Sequence, residues 1–131
     1  MGRAHYPRTL ALDTGALIAI DGGDRGIQVL LKIAREHDSL VFVPAGVLAQ
    51  AWRDGARQAK LAIFLRLASV HIEALGEAQA KAAGELCGKR GVSDIVDATV
   101  VLTARRHEAV VVSSDPDDIL HLDPKLEVIR V

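Results

Sequence analysis

A chain of 131 residues with 16 Lys and Arg against 17 Asp and Glu has a formal charge of −1. That balance excludes the global basic footprint of a non-specific nucleic-acid binder, though not a local basic patch. Half of the residues are apolar but only four are aromatic, so one domain spanning 1–131 is expected, cored by Ala, Val, Leu and Ile.

A single cysteine, Cys87, allows no intramolecular disulfide and suits a reducing compartment. No stretch has the length of a membrane span. The opening MGRAHYPRT lacks the apolar segment of a signal peptide, and Tyr6 stands where a myristoylation signal needs Ser or Thr. A cytoplasmic location without membrane contact is expected.

In chain order, Thr9–Leu12 reads as a buried strand that stops at Asp13, and Thr14 then opens a helix. Asp13 either caps that helix or faces the crevice at the carboxyl end of a sheet, where ligands of α/β folds bind. Asp21-Gly-Gly-Asp24 is a turn, and Ile27–Glu36 is an amphipathic helix. Leu40–Val43 is a second strand. Pro44 suits the first turn of a helix running to Gly55, with Gln50 set among Val47, Leu48 and Ala51. Arg53, Arg57 and Lys60 follow at spacings of four and three, a basic stripe if the segment stays helical. It is either a solvated face or a contact for phosphates or an acidic partner.

Lys60–Ala68 is expected to be helical, Ser69–Ile72 a third strand and Gly76–Lys89 a further helix, broken between Gly88 and Gly91. Trp52, Leu61, Phe64 and Leu65 exceed what one helix face buries, so they either enter the core or form an apolar patch for self-association. Val92–Arg106 is apolar almost all round, the pattern of a buried helix. Its two acids, Asp94 and Asp97, are three apart and so share a face. Asp94 suits a helix start; Asp97 lies too deep for a simple cap on this reading. Ala109–Ser113 is a continuous apolar run, hence a buried parallel strand, and the cluster Asp115, Asp117 and Asp118 follows it. Leu126–Val131 is a terminal edge strand. Strands alternating with helices predict a three-layer α/β/α sandwich around a mostly parallel sheet.

Asp13, Asp97 and Asp115 are thus expected to converge at one crevice. Carboxylates gathered without a cation cannot all stay ionised, and a divalent ion resolves the conflict. All-oxygen donors select hard ions, Mg²⁺ or Mn²⁺, and that equipment serves phosphodiester hydrolysis.

The segments L-A-L-D-T-G-A-L at Leu10–Leu17, V-P-A-G-V-L-A-Q at Val43–Gln50, D-A-T-V-V-L-T-A at Asp97–Ala104 and V-V-S-S-D-P-D-D at Val111–Asp118 resemble, in order and spacing, the successive motifs of PIN domains. The length resembles that of VapC-type toxins of bacterial toxin–antitoxin modules. The resemblance implies a Mg²⁺- or Mn²⁺-dependent endoribonuclease acting on RNA, dimeric and restrained by a VapB-type antitoxin. It implies that Asp13, Asp97 and Asp115 are the catalytic and metal-holding acids, with Asp94 and Asp117 as additional ligands and Thr14, Gln50 and Ser113 lining the site. Arg53, Arg57 and Lys60 are then candidate RNA or partner contacts. One departure stands out. The family's second acid falls on Gln50, which can offer a carbonyl to a hard cation but neither a charge nor a general base. Asp54, one turn later if the helix continues, is a candidate substitute.

Competing readings lack their marks. A receiver domain needs paired acids after the first strand, and a haloacid-dehalogenase-like phosphatase needs Asp-x-Asp-x-Thr where this chain has Asp-Thr-Gly. No G-x-G-x-x-G is present, and the five His are scattered, which argues against zinc. The alternative from another class is a non-catalytic PIN-like binding module, in which Gln50 has weakened the metal site. A response of the melting temperature to Mg²⁺ or Mn²⁺ separates the two.

Overall fold

Five short strands alternate with seven helices along residues 8–131, the part of the chain that the computed structural model describes. The readings of the opening segment as lacking a leader or lipid signal rest on residues 1–7 and lie outside it. In chain order the elements are β1 (Leu10–Leu12), α1 (Thr14–Asp21), α2 (Arg25–Glu36), β2 (Val41–Pro44), α3 (Ala45–Ala51) and α4 (Ala59–Leu65). They continue as β3 (Val70–Glu73), α5 (Glu77–Arg90), α6 (Ile95–His107), β4 (Val110–Ser113), α7 (Pro116–Leu122) and β5 (Val128–Arg130).

The strands form one sheet in the order β3-β2-β1-β4-β5, and every pairing is parallel. The sheet is therefore wholly, not mostly, parallel among the described residues. Leu10 of β1 stands opposite Val41 of β2 on one side and Val110 of β4 on the other. With right-handed crossovers, α1 to α4 lie on one face and α5 to α7 on the other. The packing agrees: α1 touches α2, α3 and α4, while α5, α6 and α7 touch one another. The three-layer α/β/α sandwich read from the sequence is the observed fold. Its middle strands are buried on both faces, with Ala11, Leu12, Val111 and Val112 all at 0% exposure. Each side chain of Val or Leu size buried there adds about 1.5–3 kcal/mol of driving force.

After β1 the chain builds the sheet outward through β2 to β3, then returns across it to start β4 on the other side of β1. The order of strands reverses between β1 and β4. Ligand-binding crevices open at the carboxyl ends of strands at such a reversal, and the segments leaving β1 and β4 here begin with Asp13 and with Ser114-Asp115.

Several local expectations are corrected. The buried helix α6 begins at Ile95, not Val92, with Asp94 as its N-cap and Asp97 in its first turn. Asp97 is therefore not deep in the helix. The description of α6 as buried holds: Ala98, Thr99, Val100, Val101, Thr103 and Ala104 are all buried. Its threonines stay satisfied, Thr99 Oγ1 donating to the Val96 carbonyl at 2.6 Å and Thr103 Oγ1 to Glu73 at 2.8 Å.

Helix α5 runs through Gly88 and ends at Gly91, whose φ of +67° is the left-handed conformation a helix terminus favours. Pro44 closes β2 and caps α3 instead of starting a helix that reaches Gly55. Helix α3 stops at Ala51. Leu61 and Phe64, at 0% and 6% exposure, belong to the monomer core and not to a surface patch. The acid-rich stretch after β4 is not a loop but the start of a helix, α7. Its signal is Pro116 in the first turn, followed by Asp117 and Asp118, where a helix N-terminus favours anions.

Candidate active site

Asp13 extends the β1 ladder by one residue, its amide donating to the Val112 carbonyl at 3.1 Å. Both readings of this residue hold at once. Its Oδ1 accepts from the Ala16 amide at 2.8 Å and so caps α1, yet it stands at the carboxyl end of the sheet with 5% exposure. Burial pushes its carboxyl above the usual range. Hydrogen bonds from Ser113, Ala16 and Ser114 oppose that shift, and the charge of Asp115 adds to it.

Ser113, fully buried at the end of β4, couples two of the acids. Its hydroxyl bonds to the Asp13 carboxylate and accepts from the Asp115 amide at 2.8 Å. The β4–α7 turn is thereby fixed against the β1–α1 turn.

Asp97 enters from the N-terminus of α6. The side chain of Asp94 accepts from the Asp97 amide at 3.0 Å, a helix cap that sets the two carboxylates side by side. Burial is the largest influence on the Asp97 carboxyl, followed by the charges of Asp94, Asp118 and Asp13, and its pKa is pushed up to about 7. The named charges acting on it are all negative. Asp118 is raised in turn by its hydrogen bond to Asp115 and by the Asp115 charge, with smaller contributions from burial, Asp94 and Asp117. A shallow cleft lined by Val92, Ser93, Asp94, Asp97, Asp118 and His121 marks the opening between α6 and α7.

The structure thus brings Asp13, Asp94, Asp97 and Asp115 into one electrostatic neighbourhood. The additional acid acting directly on Asp97 is Asp118; Asp117, proposed from the sequence, is exposed and acts on Asp118. Thr14 and Gln50 also meet at this edge, Thr14 Oγ1 donating to Gln50 Oε1.

Asp54 does not continue the Gln50 face. It lies in the turn after α3, accepts from the Ala56 amide at 3.0 Å and pairs with Arg57 at 3.7 Å. The basic stripe is not formed either. Arg53 folds back onto the Ala49 and Trp52 carbonyls at 3.0 and 2.8 Å, Arg57 faces Asp54, and Lys60 lies in the first turn of α4 beside Gly23 of the α1–α2 turn. A stripe needs one continuous helix, and the break after Ala51 removes it. Arg130 of β5 is the cation that sequence reading missed: its guanidinium reaches the Ser114 carbonyl at 3.4 Å. Only the β4–β5 register, Ser113 opposite Arg130, brings it there.

A family model for the PIN domain matches residues 10–123. The chain belongs to the PIN-domain family. PIN domains are in general nucleases, typically dependent on divalent metals. The fold is similar to that of VapBC2 from Rickettsia felis bound to a DNA fragment from its promoter, with a TM-score of 0.69 and 18% identity over 93% of this chain and 98% of that one. It is similar to FitAB bound to an IR36 DNA fragment, with a TM-score of 0.65 and 14% identity over 92% and 94% of the two chains. A third similar structure is FitAcB from Neisseria gonorrhoeae, with a TM-score of 0.63 and 17% identity over 92% and 96%. No curated protein sequence matches at a significant level.

Within this PIN domain, no three acidic, His or Cys side chains among the described residues stand close enough to enclose a cation on their own. The donor chemistry nonetheless fits a hard, hydrated ion, which takes one or two carboxylates directly and reaches others through water. Asp13 and Asp97 are carboxylates that burial and mutual repulsion make costly to ionise alone, and a cation reverses that cost.

Proposed function

We propose that this PIN domain is a Mg²⁺- or Mn²⁺-dependent endoribonuclease, the toxin of a type II toxin–antitoxin pair. The observation that carries this reading is Asp97. A carboxyl pushed up to about 7 by burial and by Asp94, Asp118 and Asp13, at the strand-order reversal of an α/β sheet, is a site short of positive charge.

Asp13 and Asp97 would hold the cation, with Asp115 and Asp118 completing its surroundings. When bound, such an ion offsets phosphate charge and lowers the pKa of its water. The chain's own residues supply position. Ser113 fixes Asp13 relative to Asp115, Asp94 fixes the start of α6, and Arg130 beside Ser114 offers a cation to a neighbouring phosphate of an RNA strand.

A cognate antitoxin of VapB type and self-association belong to the same reading; the fold's likeness to VapBC2 and FitAB supports the antitoxin partner. An open apolar groove between α2 and α4, with Leu31, Ile63 and Leu67 in its wall and Lys32, Arg35 and Lys60 around it, is a surface suited to a protein partner with acidic flanks. A second apolar hollow is formed by Ala45, Leu48, Ala49, Trp52 and Leu65, and it is the surface we assign to the homodimer. A cytoplasmic setting follows from this role. No helix among the described residues is long and apolar enough to cross a membrane.

The deciding experiment is RNA cleavage by the wild type and by Asp97→Asn, with Mn²⁺ and with chelator. Cleavage that needs both Mn²⁺ and Asp97 supports the nuclease. The binding-module reading draws on Gln50, which brings no charge to the family's second acidic position. Tight RNA or protein binding without cleavage in any metal would establish it instead.

A further inference from the structure

The residue at the family's second acidic position carries an inference of its own, which rests on the nuclease reading. Gln50 is exposed in the last turn of α3. Its Oε1 accepts the hydroxyl of Thr14, the residue that follows Asp13. Among the described residues nothing accepts from its Nε2. One end of the amide is therefore engaged with α1, and the end left for a ligand is a donor. A neutral carbonyl that already accepts a hydroxyl also competes poorly with Asp13 and Asp97 for a hard cation.

We infer that Gln50 is a substrate-binding residue and not a metal ligand: held by Thr14, it donates Nε2–H to a phosphate oxygen of the RNA backbone at the rim of the acidic crevice. Its neutrality is useful there. A glutamate at the same place would present only acceptors and would repel the phosphate whenever no cation lies between them. Thr14 is the positioning residue, acting on the substrate through the Gln50 amide.

Two binding measurements on the intact protein test this. Mn²⁺ affinity is measured by calorimetry without RNA. Affinity for a fluorescein-labelled single-stranded RNA of mixed sequence is measured by anisotropy in Ca²⁺, with a gel of each sample to show that the strand is intact. Gln50→Ala should leave the Mn²⁺ affinity within about twofold and weaken RNA binding by about tenfold, the loss of one hydrogen bond to a charged group. Thr14→Val should reproduce part of the RNA defect and Thr14→Ser should restore it. Gln50→Glu should tighten Mn²⁺ while weakening RNA. A loss of Mn²⁺ affinity in Gln50→Ala with RNA binding intact overturns the inference and makes Gln50 a ligand. Unchanged affinity for both makes it a bystander and overturns the inference equally. If the wild type neither binds nor cleaves RNA in any metal, the nuclease reading itself fails, an outcome distinct from either of these.

Discussion

Gly15 and Ser114 occupy the same space but for one carbon: a Cβ on Gly15 would lie 1.7 Å from Ser114 Oγ and 2.4 Å from Ser114 Cβ. Gly15 belongs to the first turn of α1 and Ser114 to the turn leaving β4. The missing side chain is therefore what lets the two turns that carry Asp13 and Asp115 approach. Gly15→Ala should destabilise the fold by about 1–3 kcal/mol as an overpacking change. Ser114→Gly removes both clashing atoms, so the double variant should recover most of the loss. Urea melts of the two single variants and the double variant form the cycle. Additive losses would show that the two turns do not collide.

Asp97 sets a pH dependence. Its folded pKa of about 7 lies above the ordinary value of 3.8, so the folded state holds the proton after the unfolded chain has lost it. Stability is then lost as pH rises from about 4 through about 7, and none is lost below that window. In chelator, Asp97→Asn should melt higher than the wild type at pH 8 and nearly equal to it at pH 4. Saturating Mn²⁺ at pH 8 should shrink or reverse the advantage, because the wild type gains a ligand that the variant binds less well. Melting curves at the two pH values check this, and a pH-independent difference would refute it.

Asp123 has the opposite sign. Burial raises its carboxyl, but the Arg105 hydrogen bond, the Lys125 amide and the Arg105 and Lys125 charges together carry it below 3.8. The Arg105 contact, at 2.7 Å, ties α6 to the end of α7. Its stabilisation is present above the unfolded pKa and is lost as pH falls through the lower folded value. Because Arg105 is nearly half exposed, Asp123→Ala should cost only about 1 kcal/mol at pH 7 and less at pH 3, below the ordinary carboxyl value. Denaturant melts at the two values provide the comparison.

The homodimer assignment separates Trp52 from Leu61. Trp52 is 38% exposed and Leu61 is 0% exposed. Trp52→Glu should lower the mass seen by light scattering at micromolar concentration with little change in monomer stability. Leu61→Ala should leave a cavity and cost about 2–5 kcal/mol. A wild type that is monomeric throughout would remove the Trp52 surface from consideration as a self-interface.

The sequence alone determined the elements whose signal is short-range and strong. The apolar run Thr9–Leu12 read as a buried strand and Ala109–Ser113 as a buried parallel strand. The nearly all-round apolar pattern of Val92–Arg106 marked a buried helix. These positions in turn placed Asp13 and Asp115 at the ends of strands, and the order of motifs marked the PIN fold. Tertiary structure decided what depends on where a helix breaks or which strand lies next to which. The end of α3 at Ala51 dispersed Arg53, Arg57 and Lys60 and separated Asp54 from Gln50. The later start of α6 made Asp94 a cap and moved Asp97 into the first turn. The rotation of α7 brought the charge of Asp118, rather than Asp117, onto Asp97, and the β4–β5 register carried Arg130 to Ser114. Periodicity records which side chains avoid water. It does not record which of several polar residues on one turn meets a partner from a distant segment, because that choice is made by packing between elements far apart in the chain.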